Sequence, residues 1–337
     1  MRKLVSYLLF ITVSVLIGAA WYIFMVPNIE GAKKVSIKIP TGATYSDVLN
    51  LLRQNEVLHN ENTFDIVSRS KNYPEQVKAG YYIFSRTMNN RQIVNMLKSG
   101  LQTPVTLVIY NIRTKEEFAG LVGRTLEIDS IKLLAKLNDP EFCRGLGVDT
   151  NKILSRFIVD NYEFYWNVSM PKFFEKMSTS YTDFWNNPRK TKADAIHLSP
   201  TDVTILASIV EKEVIRDKEL PTVAGVYLNR LRIGMPLQAD PTLIFALRDF
   251  DARRVNSRHK EYDSPYNTYM YPGLPPGLIC MPRKKSIDAV LNAEEHEFLY
   301  FCANPDMSGY SIFSKSFEDQ TKAAILYRKK LNQLNVH

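Results

Sequence analysis

The sequence predicts an α+β protein built in series: a single N-terminal transmembrane helix, a small α+β module, then a mostly helical domain with a C-terminal β-hairpin. Three observations predict it. Residues 4–26 are apolar and carry no charge. Short alternating segments at 35–40 and 81–84 bracket helical patterns. From residue 199 the apolar period is helical until a pair of alternating segments at 298–303 and 310–314. With 337 residues, 45% hydrophobic and 23% charged, the chain can build two domains with real cores.

The apolar run is long enough to span a bilayer. Arg2 and Lys3 precede it, and Trp21 and Tyr22 lie near its far end. The positive-inside rule places the N-terminus in the cytoplasm and everything past Pro27 outside. Residues 1–27 are thus read as a cytoplasmic tip and anchor, single-pass in the inner (plasma) membrane. The lipid bilayer is then a partner through residues 4–26. The rival reading is a signal peptide cut near Gly18-Ala19-Ala20. The run continues through Trp-Tyr-Ile-Phe-Met-Val, which is too long for a usual h-region.

A net charge of +8, with a cluster at Arg253, Arg254, Arg258 and Lys260, suits anionic partners such as a cell wall or lipid headgroups. Nucleic acid does not fit a chain on the far side of a membrane. Cys143, Cys280 and Cys302 are widely spaced and read as small buried residues. His59, His197, His259, His296 and His337 form no metal-ligand spacing, so neither a metal nor another cofactor is expected.

Residues 28–103 form the small module. After a linker at 28–34 come a strand (35–40), helices at 44–54 and 60–71, and a strand at 81–84 opened by Gly80. A helix at 89–99 then stops at Gly100. Strand, helix, helix, strand is the order of a LysM glycan-binding domain, so the module is LysM-like with a third helix. Residues 104–198 are mixed to helical: a strand at 104–112, a helix at 114–122, and helical pattern through 127–187. The aromatic block Tyr162-Glu-Phe-Tyr-Trp166 is read as a domain interface, and 187–192 as a loop.

Residues 199–337 carry the clearest signal. Ser199 can cap a helix, Pro200 suits its first position, and Asp202 completes a capping box. At 100° per residue, Glu213 lies about 20° from Leu206, about 40° from Ile209 and about 60° from Val210. It therefore sits in the middle of an apolar face, while Glu211 points nearly the opposite way. Burial disfavours an ionised carboxyl and raises its pKa. A carboxylic acid protonated near neutral pH can donate to a leaving group. A salt-bridged structural glutamate is the alternative.

A helix at 220–233 ends at Gly234. Asp240-Pro241 reads as the cap and first position of another helix. Residues 263–282 are irregular, with Pro265, Pro272, Pro275 and Pro276 fixing a loop. After the hairpin, a terminal helix starts at Ser316, boxed by Asp319.

Five segments then appear in order: Ala207-Ser-Ile-Val-Glu-Lys-Glu213, Asn229-Arg-Leu-Arg-Ile-Gly-Met235, Leu237-Gln-Ala-Asp-Pro-Thr242, Tyr266-Asn-Thr-Tyr269 and Gly273-Leu-Pro-Pro-Gly277. Together they resemble the YceG-like endolytic murein transglycosylases (MltG). The resemblance spans nearly the whole chain and is most specific over 199–282. It implies cleavage of the β-1,4 bond between N-acetylmuramic acid and N-acetylglucosamine in nascent peptidoglycan glycan strands. A 1,6-anhydro end would form, which would terminate strand elongation, and peptidoglycan synthases are implied as possible partners. Glu213 matches the family's catalytic glutamate and would act first as acid, then as base.

Gln238, Tyr266, Asn267 and Tyr269 would line the sugar groove, with Asn267 reaching an acetamido carbonyl or orienting Glu213. Asp240 is either a helix cap or a second carboxylate. In the latter case the enzyme would be a hydrolase on the same scaffold. A non-catalytic glycan-binding scaffold is the remaining alternative. Three stretches depart from the family pattern. Ile158-Val-Asp-Asn-Tyr162 lacks a proline, Gly309-Tyr-Ser-Ile-Phe313 lacks a histidine, and Gln320-Thr321 stands where His-Asn is usual. They put contacts near the C-terminal hairpin in doubt.

Overall fold

The structure, a computed structural model, describes residues 2–29, 34–252 and 255–333. Arg253 and Arg254 of the basic cluster, His337 and part of the 28–34 linker lie outside the described residues. The chain divides into two compact units. Unit 1 comprises Met1–Leu107, Val122–Asp129 and Tyr162–Ser169; unit 2 comprises Val108–Leu121, Ser130–Asn161 and Met170–His337.

Unit 1 begins with α1 (Arg2–Met25), then β1 (Val35–Ile39), α2 (Tyr45–Gln54), α3 (Glu61–Ser70), β2 (Gly80–Phe84) and α4 (Asn90–Ser99). The strand–helix–helix–strand order is as expected. β1 and β2 pair antiparallel, Val35 opposite Phe84 and Ile39 opposite Gly80. Thr44 and Asn89 close capping boxes with Asp47 and Gln92. Ile39, Val48, Phe64, Tyr82, Phe84 and Leu97 are fully buried between the ribbon and the helices. Each such side chain contributes about 1.5–3 kcal/mol by leaving water. β3 (Val105–Val108) is shorter than the 104–112 expected. It pairs with β4 (Asn161–Phe164), which contains much of the aromatic block. Tyr162 and Phe164 point inward, and Lys38 lies 5.5 Å from the Trp166 ring centroid.

α1 is apolar enough over Lys3–Met25 to cross a membrane, with mean hydropathy 2.2 and none of that window buried. Its foot is tied to unit 1 ahead of residues 30–33. Ile23 and Phe24 pack on the unit 1 core. Asn90 Nδ2 donates to the Ile23 carbonyl at 2.8 Å. Buried Asn28 donates to Asn90 Oδ1 (2.6 Å) and accepts from the Asn60 backbone (2.7 Å). An asparagine with every group engaged is costly to release. Deleting residues 2–20 is therefore expected to leave the unit 1 melting midpoint unchanged. Deleting through Val26 strips Ile23 and Phe24 and should lower it by about 4 °C in a thermal melt.

Unit 2 contains most of α5 (Lys115–Thr125), then α6 (Ser130–Leu137), α7 (Pro140–Gly145), α8 (Met170–Phe184), α9 (Asn187–Ala195), α10 (Pro200–Glu213), α11 (Leu220–Arg232) and α12 (Asp240–Leu247). A short α13 (Ser257–Lys260), α14 (Lys284–Leu291), the hairpin β5 (Tyr300–Ala303) and β6 (Ser311–Ser314), and α15 (Phe317–Gln333) follow. α9 replaces the loop expected at 187–192. Asn186 caps it by accepting from Arg189 N, and Pro188 sits in its first turn. It has no apolar stripe, so periodicity could not reveal it.

α10 is the axis of the unit. All eight residues from Val203 to Val210 are buried, so the helix is enclosed and not merely amphipathic. Its small polar side chains allow this by bonding to the helix itself. Thr204 Oγ1 donates to Pro200 O (2.7 Å) and Ser208 Oγ to Ile205 O (2.6 Å). Trp185, Leu206, Val223, Tyr227, Leu237, Ile279 and Val290 belong to the surrounding core. The hairpin is tied to the α10–α11 connection. Arg216 donates to the Ser308 carbonyl (2.7 Å), and Glu219 accepts from the Ser311 backbone (2.7 Å).

Candidate active site

Glu213 is the last residue of α10, and Val214 leaves the helix in extended conformation. Burial pushes its carboxyl up to about 8, and the charge of Asp240 pushes the same way. The negative end of the α10 dipole adds to both. Opposing them are a hydrogen bond from Tyr227, the Arg230 cation, and the Asp240 backbone N–H. Glu213 as a residue is partly buried and not fully enclosed.

Glu211 has the other fate. It accepts from the Arg283 guanidinium (2.5 Å), the Arg283 backbone N–H (3.1 Å) and the Ser286 hydroxyl at the start of α14. Two glutamates one turn-fraction apart are thus separated by the helix: one is a structural ion pair, the other faces the site.

Tyr227 and Arg230 stand three residues apart on one face of α11. Tyr227 is fully buried, and burial first, then the Glu213 charge, raises its phenol well above the ordinary value. Arg230 donates to the carbonyls of Leu237 (2.5 Å) and Leu299 (2.7 Å), which fixes its charge beside Glu213. Burial lowers the guanidinium from its ordinary value. The sequence reading did not single out either residue. An arginine in the stripe Val223, Val226, Tyr227, Arg230 was the available signal, the same anomaly that marked Glu213.

Asp240 does not cap α12. The cap position is Ala239, and Asp240 is the first helical residue, exposed, accepting from Tyr269 Oη at 2.5 Å. Its carboxylate makes no cap hydrogen bond to the first turn of α12, and the backbone just before it is held by Thr268. Thr268 accepts from Ala239 N (3.0 Å) and bonds to the Thr242 hydroxyl (2.9 Å), both threonines being buried. Gln238 is exposed, in a left-handed conformation (φ 50°), with its N–H on Thr268 O (2.9 Å).

Asn267 is fully buried and points into its own loop. It donates to the carbonyls of Lys260 (3.0 Å) and Tyr262 (2.8 Å) and accepts from Tyr269 N (3.0 Å). It clasps the loop that presents Tyr269 and reaches no groove. Tyr266 is half-buried against Phe245, with ring centroids 4.8 Å apart. Glu213, Asp240 and Tyr269 therefore converge, while Tyr266 and Asn267 support them and Gln238 stands at the edge.

Gly277 packs where no side chain fits. A Cβ there would lie 2.3 Å from Asn151 O and 2.9 Å from Tyr266 Oη. Gly277→Ala is expected to cost about 3 kcal/mol in urea unfolding, because the obstacle is backbone.

A cavity of about 660 Å³ lies at the opposite end of α10, beside Ser199 and Asp202, and contains none of the candidate residues. Among the described residues no group of three or more His, Cys, Asp or Glu could hold a metal, and the three cysteines are free.

The model of the YceG-like family matches residues 37–325, most of the chain and all of this site. This protein belongs to the YceG-like family. The YceG-like chain is 28% identical over 322 residues to the endolytic murein transglycosylase of Bacillus subtilis, covering 89% of this chain and 86% of that one. It is 24% identical over 357 residues to the endolytic murein transglycosylase of Streptococcus pneumoniae, but spans only 64% of that longer protein. A crystal structure of a yceG-like protein from Listeria monocytogenes superposes with TM-score 0.59 at 29% identity, over 86% of this chain and 98% of that one.

Proposed function

We propose that this protein is a membrane-anchored lytic transglycosylase that cleaves the N-acetylmuramic acid–β-1,4–N-acetylglucosamine bond of nascent peptidoglycan. The observation that carries the reading is Glu213: one carboxyl, held up to about 8 by burial and flanked by Tyr227 and the Asp240–Tyr269 pair. The relatives named endolytic murein transglycosylase supply the substrate class.

Glu213 gives its proton to the glycosidic oxygen as the bond to the anomeric carbon breaks. The carboxylate left behind is poorly solvated and therefore a strong base. It takes the proton of the muramyl 6-hydroxyl as that oxygen bonds to the anomeric carbon. The proton lost is regained, no water enters, and the product ends in a 1,6-anhydro ring. Asp240 keeps Glu213 protonated in the resting site, and its charge favours the oxocarbenium-like transition state. Tyr269 holds Asp240 in place, and Asn267 holds Tyr269. The α1 span would keep this chemistry at the outer face of the inner membrane, with the N-terminus cytoplasmic, where cuts limit the length of new strands.

The closeness of a second carboxylate favours one rival, a hydrolase in which Asp240 activates water. Full-length protein in mild detergent, incubated with uncrosslinked glycan strands, separates the two by mass spectrometry of the product ends. Anhydro ends from the wild type and none from Glu213→Gln are expected. Reducing ends would make the enzyme a hydrolase, and no cleavage by folded wild type would overturn the enzymatic reading.

A further inference from the structure

Beside the site lies a cavity of about 190 Å³ that the chemistry above does not use. Its walls include Pro241, Ile244 and Phe245 of α12, then Phe250, with Arg113 and Lys212 at its polar side. Lys212 immediately precedes Glu213, and Pro241 immediately follows Asp240. Two lining residues are therefore the chain neighbours of the two carboxylates of the site.

No acidic residue lines it. Lys212 Nζ donates to the neutral Asn111 Oδ1 at 2.9 Å. The Arg113 guanidinium lies 4.5 Å from the Phe250 ring centroid and reaches the Phe250 carbonyl at 3.5 Å. Glu117 accepts from the Arg113 backbone, not from its side chain. By contrast, Arg283, Lys284 and Lys285 on the same unit each meet a carboxylate. Two cations that meet no carboxylate among the described residues, at the edge of an apolar hollow, fit a ligand with small apolar groups and a carboxylate.

The proposed substrate carries such a group at the right place. The bond broken is at the anomeric carbon of the muramyl ring. The lactyl ether on that same ring bears a short peptide with methyl side chains and free carboxylates. Its attachment point lies within one sugar ring of Glu213, so a site that reads it must border the catalytic carboxyl. We propose that this cavity receives the peptide stem of the muramyl residue being cleaved, with Arg113 and Lys212 pairing to a stem carboxylate. The proposal rests on the glycan-cleaving reading of Glu213. It makes the enzyme selective for strands that still carry their stems.

The test compares two substrates with full-length protein in detergent: uncrosslinked strands with stems intact, and the same strands stripped by an amidase. The wild type is expected to show about tenfold higher kcat/KM on stem-bearing strands. Arg113→Gln with Lys212→Gln should erase that ratio, chiefly through KM. Should the double variant melt early, Lys212→Met alone should narrow the ratio. Equal cleavage of both substrates by the wild type, or an equal loss on both in the folded variants, overturns the proposal. Absence of any cleavage by the wild type overturns the glycan-cleaving reading first, and this one with it.

Discussion

Glu213→Gln is expected to lower kcat for strand cleavage by about three to four orders of magnitude while changing KM little. General acid–base help contributes roughly 10²–10⁴, and one carboxyl here serves as both acid and base. Glutamine keeps the shape and the hydrogen bond from Tyr227 but offers no acidic proton. The wild-type pH profile should carry the same signature. The reaction starts from the protonated acid, so kcat/KM falls as pH rises through about 8. A profile whose basic limb began near pH 5 would mean that Glu213 is an ordinary ionised glutamate, and the assignment would fail.

The second large effect is on stability, and its sign is opposite. Glu213 is raised from 4.5 to about 8 in the folded chain. Between those values the unfolded chain has lost a proton that the folded chain retains. Stability therefore falls as pH rises from about 4.5 and levels off above about 8. Allowing for solvent at a half-buried carboxyl, the penalty is on the order of 3 kcal/mol at the plateau. Glu213→Gln removes it. The variant should match the wild type in thermal melts near pH 4 and melt several degrees higher near pH 9. A constant gap across that range would show that burial of Glu213 is not what shifts it. A residue that weakens the fold it sits in is expected where function requires the strain.

Much of this was legible in the sequence because it rests on local rules. The caps at Ser199 and Ser316 are short-range hydrogen bonds, and both are present. Glu213 stood out because a carboxylate in an apolar stripe violates the pattern around it. What could not be read depends on partners distant in the chain. Asp240-Pro241 has the local form of a cap, yet Ala239, its N–H held by buried Thr268 from a loop beyond α13, is the cap residue, and Asp240 is engaged by Tyr269. Asn267 has the chemistry of a sugar ligand, but three backbone groups of its own loop consume it. α10 looked one-sided because nothing in its sequence reveals that the distant segment at Ile279 and Cys280 covers Ser208.

The rigid foot of α1 has a mechanical consequence. A flexible linker would let the module drift over a radius growing with the square root of linker length. Here Asn28, Asn90, Ile23 and Phe24 join helix and module as one body. The apolar helix is about 35 Å long, against a hydrocarbon layer of about 30 Å. On the proposed membrane-anchored reading, such a mismatch is relieved by tilting, and a tilt would turn the β1–β2 ribbon with it. Bilayer thickness would then act as a setting on the protein: the same chain anchored in a thinner or thicker membrane would present its first folded unit at a different angle to the bilayer.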